Sequence, residues 1–209
     1  MSDDAAPPGP DAAPPDPDAP DPGEALRETL LDSKVLHRGR VLEFRIDHVR
    51  TPGGRRARRE IAAHPGAVAI VALDADGRVL MVRQWRHAAG RALLEIPAGT
   101  LDRDADGTTE AHALAAPREL EEETGYRAAT WRYLGSFFTA PGFTSEEMHL
   151  YLATDLRPAH EDRLGPDEDE DLELEALPLA DALALVDAGR IADAKSIVGL
   201  LRVGRLLQA

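Results

Sequence analysis

The chain has 209 residues, 43% of them hydrophobic, with 24 Lys and Arg against 38 Asp and Glu, a formal net charge of −14. That length suggests one domain with room for a small extra module, and the acidic excess gives no net positive field to draw in a nucleic-acid polymer. The longest apolar run, Ala67 to Leu73, is far too short to span a bilayer, the N-terminus lacks the basic and apolar regions of a secretory signal, and there is no cysteine for disulfides or thiolate chemistry; these features predict a cytoplasmic protein.

Residues 1–23 contain eight of the 16 prolines and six Asp, with no large apolar residue after Met1. Such a segment cannot bury enough surface to offset its conformational entropy, so residues 1–24 are expected to form a disordered tail. Its six Asp take the net charge of the remainder to −8. From Arg27 to Arg59 ten bases face four acids, whereas acids concentrate at Glu119–Glu123 and again between Glu161 and Glu175. A basic front half facing two acidic clusters suits an anionic ligand that needs arginines together with a metal that needs carboxylates.

In chain order, Val35–Leu36 and Val41–Val49 are predicted strands, the second from its period-two alternation. Thr51-Pro52-Gly53-Gly54 is a turn, and Arg56 to Ala63 returns as the second arm of a hairpin. His64-Pro65-Gly66 is the candidate boundary between an N-terminal β-module, residues 25–65, and a main domain, residues 66–209. Ala67–Leu73 is a buried strand, Asp74–Gly77 a tight turn and Arg78–Arg86 the next strand. Leu93–Ile96 is a short strand. Glu110–Thr124 is a helix, N-capped by Thr108 or Thr109 and ended by Gly125, with Pro117 expected to kink it, split it or restart it. Trp131–Phe138, Met148–Ala153 and Asp171–Leu177 are further strands; Leu179–Ala188 and Ala194–Leu207 are amphipathic helices. Strands on both sides of a central helix, with a helical end, predict a mixed α/β (α+β) domain.

Arg118-Glu119-Leu120-Glu121-Glu122-Glu123 is the most informative segment. Glu119 and Glu123 share a helix face and Glu122 borders it. Like charges at this spacing oppose the helix by about 0.2–0.5 kcal/mol per pair. They also crowd the end where the macrodipole is negative, at roughly 0.3–1 kcal/mol per anion. A solvated acidic face does not account for that placement, whereas a bound Mg²⁺, which takes oxygen ligands and retains waters, does.

Glu110, seven residues, then Arg118-Glu119-Leu120-x-Glu122-Glu123-x-Gly125-Tyr126 resembles the Nudix hydrolase box. The opening glycine of the box corresponds to Gly99, eleven residues before Glu110 instead of six, so the loop Asp102–Thr109 carries a five-residue insertion of a kind loops tolerate. Over residues 33–207 the likeness is greatest to the ADP-ribose pyrophosphatase group, and it implies a Nudix-type α/β/α sandwich. By that resemblance, Glu119, Glu122, Glu123 and the Ala98 carbonyl would be metal ligands for Mg²⁺, with Mn²⁺ an alternative. Arg59 and Arg86 would contact a diphosphate, and Pro141 and Glu146 would belong to a substrate loop. Glu168, with Glu170 as the second choice, would serve as a catalytic base, and Arg118 and Glu122 would complete the catalytic set. Trp85 could stack on a base or pack in the core or a dimer interface. The β-module would pair two subunits as a homodimer. The implied reaction is Mg²⁺-dependent hydrolysis of ADP-ribose to AMP and ribose 5-phosphate. Another nucleoside-diphosphate sugar as substrate, or a non-catalytic nucleotide-sugar sensor, are the rival functions. Asp167, Asp169 and Asp171 imitate the first positions of a calcium loop, but Leu172 and Pro178 stand where Gly and Glu are needed, which excludes it. The seven histidines show no ligand spacing and are expected to be structural or exposed.

Overall fold

The computed structural model describes residues 23–103, 107–159, 164–165 and 171–208. The predicted tail, apart from Gly23 and Glu24, and the loop residues Glu168 and Glu170 lie outside the described residues.

Chain order gives β1 (Thr29–Arg38), β2 (Glu43–Arg50), β3 (Arg56–Ala63), β4 (Ala67–Leu73), β5 (Arg78–Arg86), β6 (Arg91–Glu95), β7 (Ala98–Thr100), α1 (His112–Thr124), β8 (Tyr126–Phe138), β9 (Glu147–Pro158), β10 (Glu173–Pro178), α2 (Leu179–Asp187) and α3 (Ala194–Leu206). β1, β2 and β3 form an antiparallel three-stranded sheet. The other strands form a seven-stranded mixed sheet in the order β10-β5-β4-β9-β8, with β6 paired to β5 and β7 to β4. The one parallel pairing in that ladder is β4 with β9.

The reason β4 is buried along its whole length is that both faces are covered. Ala67, Ala69, Val71 and Leu73 pack with residues of α2 and α3, including Ala182, Leu200 and Val203. Val68, Ile70 and Ala72 pack with Ala115, Ala116 and Leu120 of α1. Alternation along one strand thus feeds two cores, and the helices on opposite faces make an α/β/α sandwich.

Three expectations change in detail. α1 starts at His112, two residues later than the acidic residue expected to open it, and its N-cap is Ala111 with no side-chain cap, not Thr108 or Thr109. Glu110 is retained in the loop, where its amide donates to the Asp102 carbonyl at 2.8 Å. Pro117 does not split the helix. Ala113, whose carbonyl loses its intrahelical donor, lies with Pro117 on the exposed face, where water can serve that oxygen. β1, β8 and β9 run longer than their hydrophobic patterns indicate, β8 starting at Tyr126 instead of Trp131.

All ten residues of β1 are exposed, Leu30, Val35 and Leu36 among them. No helix among the described residues is long and apolar enough to cross a membrane.

Candidate active site

The C-terminal half of α1 lies against β7. Glu119 and Glu123 are buried, and Glu122 is partly so. Glu119 approaches Gly99 so closely that a Cβ built there would sit 1.9 Å from its carboxyl carbon and 2.1 Å from each oxygen. A side chain at this position would push the Glu119 carboxylate aside, and this explains the opening glycine in steric terms. Glu123 Oε2 accepts the Ala98 amide at 3.0 Å, which sets Ala98 beside the cluster.

Arg118 organises the acids. Its Nη1 lies 2.8 Å from Glu122 Oε2 and 2.9 Å from Glu119 Oε1, and its Nη2 donates to Glu110 Oε2 at 2.9 Å. Burial works against the guanidinium charge, but the hydrogen bond to Glu110 and the fields of Glu119, Glu110 and Glu122 outweigh it and raise its pKa. Among the described residues no three His, Asp or Glu side chains already converge as a cage for a metal ion. The donor set is nevertheless all oxygen, with a glycine cradle beside it. That chemistry fits Mg²⁺, which is held by a few carboxylates and keeps its own waters.

Gly99 and Thr100 belong to the walls of two cavities. One, about 420 Å³, holds Arg118, Glu119 and Glu122 together with Arg40 and Arg103. The other, about 460 Å³, holds Arg86, Glu95, Ala98, Glu146, Asp193 and Lys195. Arg86 reaches this second cavity as a fork on the buried Glu95, at 2.9 and 2.7 Å. Lys195 pairs with Glu95 as well and reaches Asp193 at 3.0 Å. Burial would raise the Glu95 carboxyl, but Arg86 and Lys195 hold it below its ordinary value. Glu95, Asp193 and Lys195 are site residues that motif reasoning missed. Asp193 did carry one local signal, an N-cap residue before an apolar-periodic run; the rest arises from contacts across about a hundred positions of sequence.

The remaining expected residues are placed differently. Arg59 lies on β3 and pairs with Glu28, away from both cavities. Trp85 is 63% exposed, which excludes core packing, and lines a third cavity of about 400 Å³ with Arg83, Asp171 and Glu173. Pro141 is exposed in a loop that docks on the end of β3, where the Ala62 amide donates to the Phe143 carbonyl at 2.8 Å. Glu146, from the same loop, faces the second cavity and accepts from Thr139 Oγ1 at 2.5 Å. The chain therefore brings Ala98, Arg118, Glu119, Glu122 and Glu123 together, with Arg86 and Glu146 across Gly99; it does not bring Arg59, Trp85 or Pro141 to them. Of the described histidines, His64 lies beside the site, 3.7 Å from Glu146. His112 and His149 stack at 4.0 Å, with Tyr133 and Tyr151 around them.

A family model described as NUDIX domain matches residues 63–198. An ADP-ribose pyrophosphatase of Mycobacterium tuberculosis is 43% identical over 83% of this chain and 81% of that protein. A methanol dehydrogenase activator of Bacillus methanolicus is 38% identical over 85% of this chain and 93% of that protein. A solved structure described as an ADP compounds hydrolase superposes with a TM-score of 0.73 at 26% identity, covering 87% of this chain and 95% of that one.

Proposed function

This chain belongs to the Nudix family, and on that premise we propose that it hydrolyses the diphosphate bond of ADP-ribose to give AMP and ribose 5-phosphate. The observation that carries the proposal is the glutamate cluster gathered by Arg118 against Gly99, a glycine shared by the walls of two cavities. A substrate with two bulky halves joined by a diphosphate suits such a divided site. The ADP-ribose pyrophosphatase relative and the ADP compounds hydrolase neighbour support the same substrate class.

In this reading Glu119, Glu122, Glu123 and the Ala98 carbonyl hold Mg²⁺, or Mn²⁺ in its place. The ion, when bound, offsets the charge of the diphosphate and lowers the pKa of a coordinated water. Arg118 is a positioning residue that orients Glu119 and Glu122. Glu168, on the connection between β9 and β10, accepts the proton of the attacking water, with Glu170 the alternative. Arg86 lies at the substrate cavity as a partner of Glu95, and Glu146 lies opposite. Arg59, Trp85 and Pro141 act on substrate only if residues 25–65 serve as a module that pairs two subunits. The fully exposed β1, with Leu30, Val35 and Leu36 uncovered, supports that homodimer. A cytoplasmic setting belongs to the same proposal, since a chain without cysteine gains nothing from an oxidising compartment.

The test is a panel of ADP-ribose, ADP-glucose and GDP-mannose with Mg²⁺, following release of AMP or GMP. Preferential AMP release from ADP-ribose is expected. Preference for another nucleoside-diphosphate sugar would move the substrate assignment, and absence of metal-dependent turnover on every member would refute the enzyme.

A further inference from the structure

The turn between β2 and β3 gathers arginines that the site described above does not use. Arg50, Arg55, Arg56 and Arg58 are all exposed there. Arg50 faces Arg56 across the ladder, and His48 faces Arg58. Like charges in facing positions oppose strand pairing. Nearby acids offset only part of this charge: Asp32 accepts from Arg56 at 2.9 Å, and Glu60 pairs with Arg58 at 2.7 Å. Arg50 and Arg55 make no ion pair among the described residues. The turn itself is fixed, with the Thr51 amide donating to the Arg55 carbonyl at 2.9 Å and the Gly54 amide to the Thr51 carbonyl at 2.8 Å. Such a surface suits a partner that presents several carboxylates or phosphates together.

The chain carries a polyanion of its own. Residues 1–22 contain six Asp, eight Pro and no Lys or Arg. The remainder of the chain is acidic too, so most of its surface repels this segment and the basic stretch from Arg27 to Arg59 attracts it. The segment also joins the fold at the turn, because β1 begins at Thr29 and Thr29 faces Arg50. Asp21, Asp18 and Asp16 precede Thr29 by 8, 11 and 13 residues. Tethers that short keep the carboxylates at millimolar effective concentration, enough for weak exposed ion pairs to form together. The prolines remove the backbone donors that a strand needs, so carboxylates make the contact and a β-ladder does not.

We propose that residues 1–22 dock on the arginine turn of their own chain, as an intramolecular polyanion that keeps Arg50 and Arg55 from recruiting other anions. The proposal is independent of the ADP-ribose reading.

The chain has no cysteine, so Ala12→Cys supplies a single site for a nitroxide label in the full-length protein. Relaxation enhancement of the Gly53, Gly54 and Arg55 amides is read by NMR. Charges act over about 10 Å at 0.1 M ionic strength and about 3 Å at 1 M. Enhancement should therefore fall at least about threefold between those two conditions. The same fall should appear at 0.1 M when Asp3, Asp4, Asp11, Asp16, Asp18 and Asp21 are replaced by Asn, and when Arg50 and Arg55 are replaced by Gln. Inorganic polyphosphate should bind the Asn variant at least about threefold more tightly than wild type, and adding the two Gln substitutions should abolish that gain. Enhancement unchanged by salt and by both sets of substitutions would overturn the docking, since tethering alone would explain it. Enhancement of equal size with the isotope on one chain and the nitroxide on another would overturn it as well, by assigning the turn to a second copy. Equal polyphosphate affinity of wild type and Asn variant would overturn the shielding role.

Discussion

Gly99→Ala tests the steric core of the site. The added Cβ would lie 2.1 Å from both Glu119 oxygens and 1.9 Å from the carboxyl carbon, whereas ordinary contact begins at 3.4 Å. The carboxylate must therefore retreat by about 1.5 Å, the difference between contact and the separation of its carbon. It is the end of a flexible side chain, so the fold can accommodate the change at the modest cost of overpacking, about 1–3 kcal/mol. Metal ligation is far less forgiving: ligand distances hold within about 0.2 Å, and a displacement near 1 Å can cost about a hundredfold in rate. The variant should lose about two orders of magnitude in kcat/KM and need several-fold more Mg²⁺ for half-maximal activity. Its melting temperature should fall by no more than about 2–4 °C for each kcal/mol of that cost. Gly53→Ala, where a Cβ meets nothing within 4 Å, is the control and should match the wild type in every readout. Wild-type turnover and an unchanged Mg²⁺ midpoint in Gly99→Ala would refute the placement of Glu119 as a ligand.

Arg118→Lys keeps the charge but loses the fork that spans Glu110, Glu119 and Glu122; a Mg²⁺ titration of activity should move its midpoint up by about 10- to 100-fold. Burial holds the His64 imidazole below 6.5, Glu146 opposing and Arg103 assisting. The unfolded chain then takes up a proton that the folded chain refuses, so stability should fall as pH drops below about 6.5 toward the native value. In His64→Asn, whose amide oxygen can still accept the Gly66 amide that Nδ1 accepts now, the melting temperature should vary less with pH in that range. Light scattering should return twice the 22.6 kDa chain mass, and a Leu36→Lys variant, with a charge placed on the exposed β1, should shift the population toward single chains.

Much of the fold was legible because local chemistry bounded it. β4 is an apolar run closed by His64-Pro65-Gly66 on one side and the Asp74–Gly77 turn on the other, and β3, β4 and β5 fall where those signals place them. The first half of β1 was not legible: its ladder with β2 shifts register between Leu30 and Asp32 and again between Val35 and His37, so no period-two pattern survives. The same distinction separates the site residues. Glu119, Glu122 and Glu123 are neighbours on one helix turn, and spacing alone groups them. Glu95 and Lys195 meet only because β6 and α3 converge, so the engagement of Arg86 by a protein carboxylate could not be read from its own strand.

The acidic end of α1 looked unfavourable because four acids, Glu119 and Glu121 to Glu123, crowd a helix terminus that repels them, and the partners found there show how the helix tolerates them. Arg118 serves Glu110, Glu119 and Glu122; the Ala98 amide serves Glu123. Glu121 points elsewhere: Arg127 grips both of its oxygens at 2.7 Å, and the Leu164 amide donates to one of them at 3.0 Å. The four carboxylates therefore divide into a structural one and a group gathered beside Arg118 and Ala98, and paired substitutions should separate them. Glu121→Gln weakens a buried but half-solvated ion pair, at about 1–2 kcal/mol once the exposure of Arg127 is discounted, and so should lower the melting temperature by about 2–8 °C while turnover changes little. Glu122→Gln should do the opposite, leaving melting near the wild type and lowering turnover at least about a hundredfold. Both enzymes would be measured by calorimetry and by AMP release under saturating Mg²⁺. If the two variants lost stability and turnover in the same proportion, the cluster would be acting as one structural unit, and the assignment of Glu122 to the reaction would fall.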